Sequence, residues 1–378
     1  MKGLAPLALL LLCGCATADP VALPQAAAVD AEGIVDDDAE IVEYVLRNAS
    51  GSEIRFLNYG AIITAIGVPD RAGNRTNVVL GYGSESEYRE LNGKNLFGAV
   101  VGRYAGRIED ARFIIDGTPV QLQPNLAGNA LHGGAEPGIA FKLWDVRPFT
   151  EDGVAGAELT LVDPDGSQGF PGELTLSVTY RLLSDDAVRI DYAATTDAPT
   201  VLNVMNHTYF NLAGRGTVTD HLLQVNAERY AATNSEDIPT GAFPGVAGTP
   251  LDFREATRIG ALIDADHPVM NPERGGYNHS WEIAGEPGSL RPAARLFDPA
   301  SGRTLDIETS APSLHAYTGD YFDGADLRPD GSVIAPRDGI ALETQSYSDS
   351  PNRPEFPSTA LRPGEVWRST TIWRFGTR

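Results

Sequence analysis

The chain is poor in the residues that build disulfide, thiol and metal chemistry. Its 378 residues hold 2 cysteines and 6 histidines. Both cysteines, Cys13 and Cys15, stand at the N-terminus, so the rest of the chain has no thiol to act as nucleophile and no pair to staple a domain. The histidines form neither an H-x-H pair nor an HExxH helix, and without such spacing no metal is expected. No G-x-S-x-G elbow and no P-loop occurs. GYGSES and GGYNHSW lack the strand–turn–helix context of a dinucleotide fingerprint. Positive charge is scarce: 29 Lys and Arg face 51 Asp and Glu, a net charge of −22. That field repels polyanions and excludes nucleic acid as a partner, while a neutral small molecule fits. Long amphipathic helical stretches are missing, and no obligate protein partner is indicated.

What the sequence has is 40 glycines and 26 prolines, with β-branched and aromatic residues throughout. ELTLSVTYRLL puts Leu174, Leu176, Val178 and Tyr180 on one face and Thr175, Ser177 and Thr179 on the other. EIRFLNYGAIITAIGV alternates around Ile54 and Phe56, then Ile62, Thr64 and Ile66. AVRIDYAATT repeats the alternation, and VWRSTTIWRFG sets Trp367, Trp373 and Phe375 on one side. Period-two patterning bounded by Gly, Pro and Asp predicts antiparallel strands with one buried face. Many such strands predict an all-β fold of packed sheets, a large antiparallel β-sandwich. No internal linker is evident, so residues 41–378 are read as one domain.

The N-terminus reads differently. Lys2 precedes a short apolar run, Leu4 to Leu12, and then small residues. This three-part pattern is that of an export signal, and the run is too short to span a bilayer. Leu12-Cys13-Gly14-Cys15 resembles the lipobox of bacterial lipoproteins. On that reading residues 1–14 are removed, Cys15 is lipidated, and the chain is periplasmic and anchored to the outer membrane. An ordinary signal cut after Ala16 or Ala18 is the alternative. Residues 15–40, rich in Ala, Pro and Asp, read as a flexible tether.

Candidate chemistry rests on few side chains. His207, in LNVMNHTYFNLAG, ends a strand-like run beside Asn206, Thr208 and Asn211, which suits proton transfer near neutral pH. Glu343, in GIALETQSYSDSPN, follows three apolar residues, and poor solvation raises a carboxyl toward the range of a working base. His132, in GNALHGG, has glycines that allow close backbone approach. Arg103 and Arg107, in VGRYAGRIEDARF, are each either a fork for a ligand's hydroxyls or a structural arginine on carbonyls. Taken singly, each histidine and the glutamate also fits a structural role.

Together these segments resemble the galactose mutarotase (aldose 1-epimerase) family. The likeness runs from about Ile41 to Arg378, through NYGAIITAIGVPDRAGNRTNVVLGY, VGRYAGRI, NALHGG, DGSQGFPGELTLSVTY, NHTYFNLAG, IPTG, TPLDFR, GYNHSW, AYTGDYFDG and LETQSYSDSPNRPEFP in the family's order. The resemblance implies a large β-sandwich with an open cleft, no cofactor, and a free aldose as substrate. It matches the catalytic base to Glu343, the catalytic acid to His207, and the substrate-holding residues to His132 and Arg107. It also marks departures. Gly106 stands where the family has Asn, Asn278 where it has Asp, His315 where it has Gln, and Asp320 where it has Asn.

The implied reaction interconverts α and β anomers. Glu343 takes the C1 hydroxyl proton while His207 donates to the ring oxygen, the C1–C2 bond rotates, and reversal closes the other anomer. Phe170 and Trp281 are candidates to pack on the sugar's apolar face. Because Asn278 lacks a carboxylate's charge, either ordinary hexoses are expected to bind more weakly than is usual for the family or a sugar lacking or inverting that hydroxyl to be preferred, and Asn278→Asp is expected to tighten the ordinary hexoses. The competing readings are a non-catalytic carbohydrate-binding lipoprotein and a related sugar-active β-sandwich enzyme.

Overall fold

The computed structural model describes residues 28–34, 41–135, 138–270 and 275–378. The expected cleavage region and Cys15 lie outside the described residues. Three antiparallel sheets carry most of the architecture. The N-terminal sheet is a meander of Ala28–Ile34, Ile41–Arg47, Glu53–Leu57, Ile63–Pro69 and Arg75–Asn77. A nine-stranded sheet runs Asp145–Glu151, Val154–Asp163, Leu174–Leu182, Ala187–Thr196, Trp367–Thr377, Arg303–Thr309, Arg291–Phe297, Leu222–Val225, Thr257–Arg258. A third sheet runs Tyr209–Phe210, Ile340–Gln345, Ser313–Tyr317, Asn278–Glu282, Arg229–Ala231. Among the described residues the one α-helix is Glu85–Leu91, with Ser84 as N-cap accepting from the Glu87 amide.

The alternation read from the sequence is what closes the sandwich. Leu174, Leu176, Val178 and Tyr180 are all buried, and the residues between them are not. Tyr180 meets Phe56 edge-on at 5.2 Å and donates to the Ala61 carbonyl at 2.6 Å, joining the large sheet to the N-terminal one. The third sheet packs its back face on the large sheet at another point: Phe210 meets Trp373 at 5.0 Å, and the hydroxyls of Thr344 and Thr371 share a hydrogen bond of 2.6 Å. One continuous apolar cluster runs between all three. The front face of the third sheet is thereby left to form a cleft.

Two local expectations need correction. The segment read as a tether, 15–40, carries the strand Ala28–Ile34, paired with Ile41–Arg47 from Ala28↔Arg47 to Ile34↔Ile41. Backbone pairing along a sheet edge needs no apolar periodicity, and this is why the composition of the segment did not announce it. Thr64 does not share the buried face of Ile66. The register shifts between Arg55 and Phe56, Ile63 takes the place opposite Phe56, and the Thr64 hydroxyl turns to Glu43 at 2.8 Å. A bulge of this kind moves one residue off the pleat's count.

Candidate active site

The third sheet sets its polar residues by register. Across its central strands Ser280 pairs with His315, and His315 with Glu343; Asn278 pairs with Tyr317. Side chains alternate along a strand, so Asn278, Ser280, His315, Tyr317, Glu343 and Gln345 share the front face. The alternate set, Trp281, Leu314, Ala316 and Leu342, faces the core. The cleft in front has a volume of about 420 Å³, and Glu343, His207, Arg107, His132, Asn278 and His315 all line it.

Glu343 and His207 meet there. Their closest approach is 3.4 Å, between Oε1 and Nε2. Both residues are deeply buried, 2% and 4% exposed. Burial pushes the Glu343 carboxyl up to about 8, opposed by the charge of Arg107 and a hydrogen bond from Gln345 Nε2 at 3.0 Å. Burial pushes the His207 imidazole down to about 4, and its Nδ1 faces no acceptor among the described residues. The His207 backbone is fixed on both sides: its amide donates to Ala99 and its carbonyl accepts from Gly98.

His132 stands edge-on to His207 with ring centroids 5.3 Å apart. Its backbone is left-handed, φ 52°. The Gly106 amide donates to His132 Nδ1 at 3.2 Å, so Nε2 carries the proton and is free to donate into the cleft. Desolvation, with the nearby His207 and Arg107, holds this ring well below the usual histidine range, hence neutral. Gly106 also explains itself. Its φ is +80°, and a Cβ there would stand 2.4 Å from Ser348 Oγ, the atom that receives the Arg107 amide at 3.1 Å.

The two arginines separate. Arg103 is fully buried, paired with Asp163 at 2.5 Å and donating to the carbonyls of Asp163, Pro164, Pro171 and Gly172. Arg107 reaches the cleft, where Nη2 binds Asp237 Oδ2 at 3.0 Å. The histidines divide likewise. His221 accepts from the Leu212 amide, His279 lies between the Asn278 amide and the Val269 carbonyl, and His267 accepts from the Val269 amide. These three serve backbone; His132, His207 and His315 serve the cleft.

Neither aromatic proposed for the sugar lies in the cleft. Trp281 sits on the core face with its indole N–H on the Leu251 carbonyl, and Phe170 is buried beside Phe113. The cleft aromatics are Tyr209, Tyr317 and Tyr321. Asp320 also points elsewhere, to Arg337 at 2.7 Å and to the Thr318 hydroxyl. The remaining departures, Asn278 and His315, are bonded to each other, Oδ1 to Nε2 at 2.8 Å. Sequence reasoning missed Gln345, Tyr209, Ser280, Ser348 and Asp237. Gln345, Tyr209 and Ser280 each lie two residues beyond a named site residue, Glu343, His207 and Asn278; Ser348 and Asp237 come from loops brought to Arg107 by tertiary packing.

Comparison with known proteins shows the family and the fold. A family model described as aldose 1-epimerase matches residues 42–374. A galactose mutarotase of Rattus norvegicus is 36% identical over 324 residues, covering 85% of this chain and 90% of the relative. An aldose 1-epimerase of Escherichia coli (strain K12) is 35% identical over 333 residues, 87% of this chain and 94% of the relative. Among solved structures, a galactose 1-epimerase from Lactobacillus acidophilus NCFM superposes with a TM-score of 0.81 at 30% identity, over 93% of this chain and 99% of that one.

Proposed function

The chain belongs to the aldose 1-epimerase family and interconverts the anomers of free aldoses; from that premise we propose that Glu343 and His207 make the two proton transfers. The observation that carries the assignment is their buried approach of 3.4 Å in the cleft. With the carboxyl raised to about 8 and the imidazole lowered to about 4, the pair holds one proton between those limits, resting on the carboxyl. Moving that proton to Nε2 yields a carboxylate and an imidazolium at unchanged total charge. Arg107 and Gln345 both favour the carboxylate of this productive form. Glu343 then accepts the C1 hydroxyl proton, and His207 donates to the ring oxygen. The ring C1–O bond breaks and an aldehyde forms. Rotation about C1–C2 followed by the reverse transfers gives the other anomer. His132 Nε2–H and Arg107 hold ring hydroxyls.

Polarimetry on freshly dissolved α-galactose and α-glucose tests the assignment. Because the productive pair needs one proton, kcat/KM should fall below pH about 4, where both groups are protonated, and above pH about 8, where both are bare. A flat profile from pH 3.5 to 9 contradicts it.

We further propose export as a lipoprotein anchored through Cys15, on the strength of Lys2, the apolar run Leu4 to Leu12, and the Leu12-Cys13-Gly14-Cys15 segment. Cys15→Ser should move the protein from the membrane to the soluble fraction, and mass spectrometry should find an acylated N-terminal Cys15 in the wild type. An unlipidated mature N-terminus at Asp19 rules this out.

A further inference from the structure

The aldose 1-epimerase pattern puts an acid where this chain has Asn278, yet a carboxylate still stands beside that position. Asp237 supplies one from a loop 41 residues earlier in the chain. Its Oδ2 accepts from Arg107 Nη2 at 3.0 Å and from Asn278 Nδ2 at 3.1 Å. The side chains of Arg107 and Asp237 are 12% and 11% exposed, so water screens the pair little. The turn holding Asp237 is itself fixed. Asn234 Oδ1 accepts from the amides of Glu236 and Ile238, and the Asp237 amide donates to the Asn234 carbonyl at 3.1 Å. Asp237 takes a left-handed φ of 57° there, a conformation Asp tolerates better than most residues.

Donors and acceptors along this line fit in only one order. A carboxylate only accepts, so the Asn278 amide must turn its NH₂ to Asp237. Its Oδ1 then faces His315 Nε2 at 2.8 Å, which must carry the proton. His315 Nδ1 is left to accept from the Ser280 hydroxyl at 2.8 Å. Asn278, His315 and Ser280 each find a partner along this line, and it ends at the guanidinium that reaches the cleft. A carboxylate at 278 would instead set two acids about 3.1 Å apart across the Asn278–Asp237 contact, an arrangement in which both cannot be ionised at neutral pH.

We infer that Asp237 is a positioning residue for sugar binding: it holds a negative charge against Arg107 and Asn278, moved from the strand at 278 to the loop, and orients these two side chains toward the substrate's hydroxyls. The inference rests on the aldose 1-epimerase reading. It reverses the expectation that Asn278→Asp alone tightens hexose binding, since that change adds a second acid rather than restoring a missing one.

A charge transposition tests it. KM and kcat for galactose and glucose are measured for the wild type, Asp237→Asn, Asn278→Asp and the double variant, with Tm of each at pH 8 without sugar. Asp237→Asn should raise KM at least tenfold and change kcat less than threefold. Asn278→Asp should lower kcat/KM at least tenfold and lower Tm. The double variant, with one acid and one amide again, should return KM to within threefold of wild type and recover the Tm lost by Asn278→Asp. The inference is overturned if the double variant is no better than the worse single one, if Asn278→Asp alone lowers KM, or if its Tm equals that of the double. Failure of the wild type to act on any aldose would instead defeat the enzyme reading; the Tm comparison would then still decide whether residues 237 and 278 share one charge.

Discussion

On the back of the sheet formed by Asn278–Glu282, Ser313–Tyr317 and Ile340–Gln345, Trp281, Leu314, Ala316 and Leu342 are buried against apolar neighbours. On the front, Glu343 and Gln345 are buried as deeply among polar ones. Withdrawal from water acts on both faces with opposite sign. It stabilises the back by about 25 cal/mol for each Å² of apolar surface removed. It disfavours the ionised carboxylate on the front, and the result is a Glu343 that keeps its proton to about pH 8. The same strands therefore hold the fold with one set of alternate residues and adjust proton affinity with the other. Hydrogen bonds from Gln345 to Glu343 and along His315, Asn278 and Asp237 make the polar face tolerable.

Substitutions on the two faces should separate accordingly. The largest effect is on the front. Glu343→Gln should lower the mutarotation rate by about two orders of magnitude or more, the scale of a general base, as followed by polarimetry. The same variant should be no less stable than wild type. A carboxyl raised to about 8 from an unfolded value near 4.5 binds its proton more tightly when folded. Its contribution is therefore favourable below about pH 4.5 and is lost as pH rises toward 8. The Tm of Glu343→Gln relative to wild type should climb across that window; a constant difference would show that the carboxyl is not perturbed by burial. Next comes the back face. Leu314→Ala should cost about 2–5 kcal/mol in urea unfolding, from lost transfer energy and the cavity left behind. Its KM should stay within a few-fold of wild type, and a selective loss of sugar binding would break the division between faces. The smallest effect is at the far end of the polar line. Ser280→Ala removes the donor to His315 Nδ1 and should raise KM by a factor of about 2–10, the scale of one neutral hydrogen bond, with kcat nearly unchanged.

Much of this is legible in the sequence alone. The alternation in ELTLSVTYRLL gave the buried face of its strand residue for residue, because a half-buried antiparallel strand leaves a period of two in the sequence. His207, Glu343, His132, Arg107, Asn278 and His315 do converge on one cleft. What was not readable has two physical origins. Thr64 and the strand Ala28–Ile34 depend on register and edge pairing, made by backbone groups common to every residue. Asp237 and Ser348 come from loops whose nearness to Arg107 is set only by tertiary packing. Trp281 was misassigned because an aromatic near a polar motif looks the same in sequence whether the strand turns it forward or back; its neighbours Ser280 and Glu282 share the other side.

The three-strand register Ser280–His315–Glu343 also constrains how such a protein can diverge. A point substitution at an alternate position changes one group in the cleft and leaves the ladder intact. A single inserted or deleted residue within Ser313–Tyr317 would exchange His315 for a core side chain and send an imidazole into the apolar interior. A length change in these strands would therefore need a bulge to absorb it if the cleft is to survive. New sugar preferences must come from exchanges at alternate strand positions, or from loops such as that of Asp237, which can donate a group to the cleft without moving the ladder behind it.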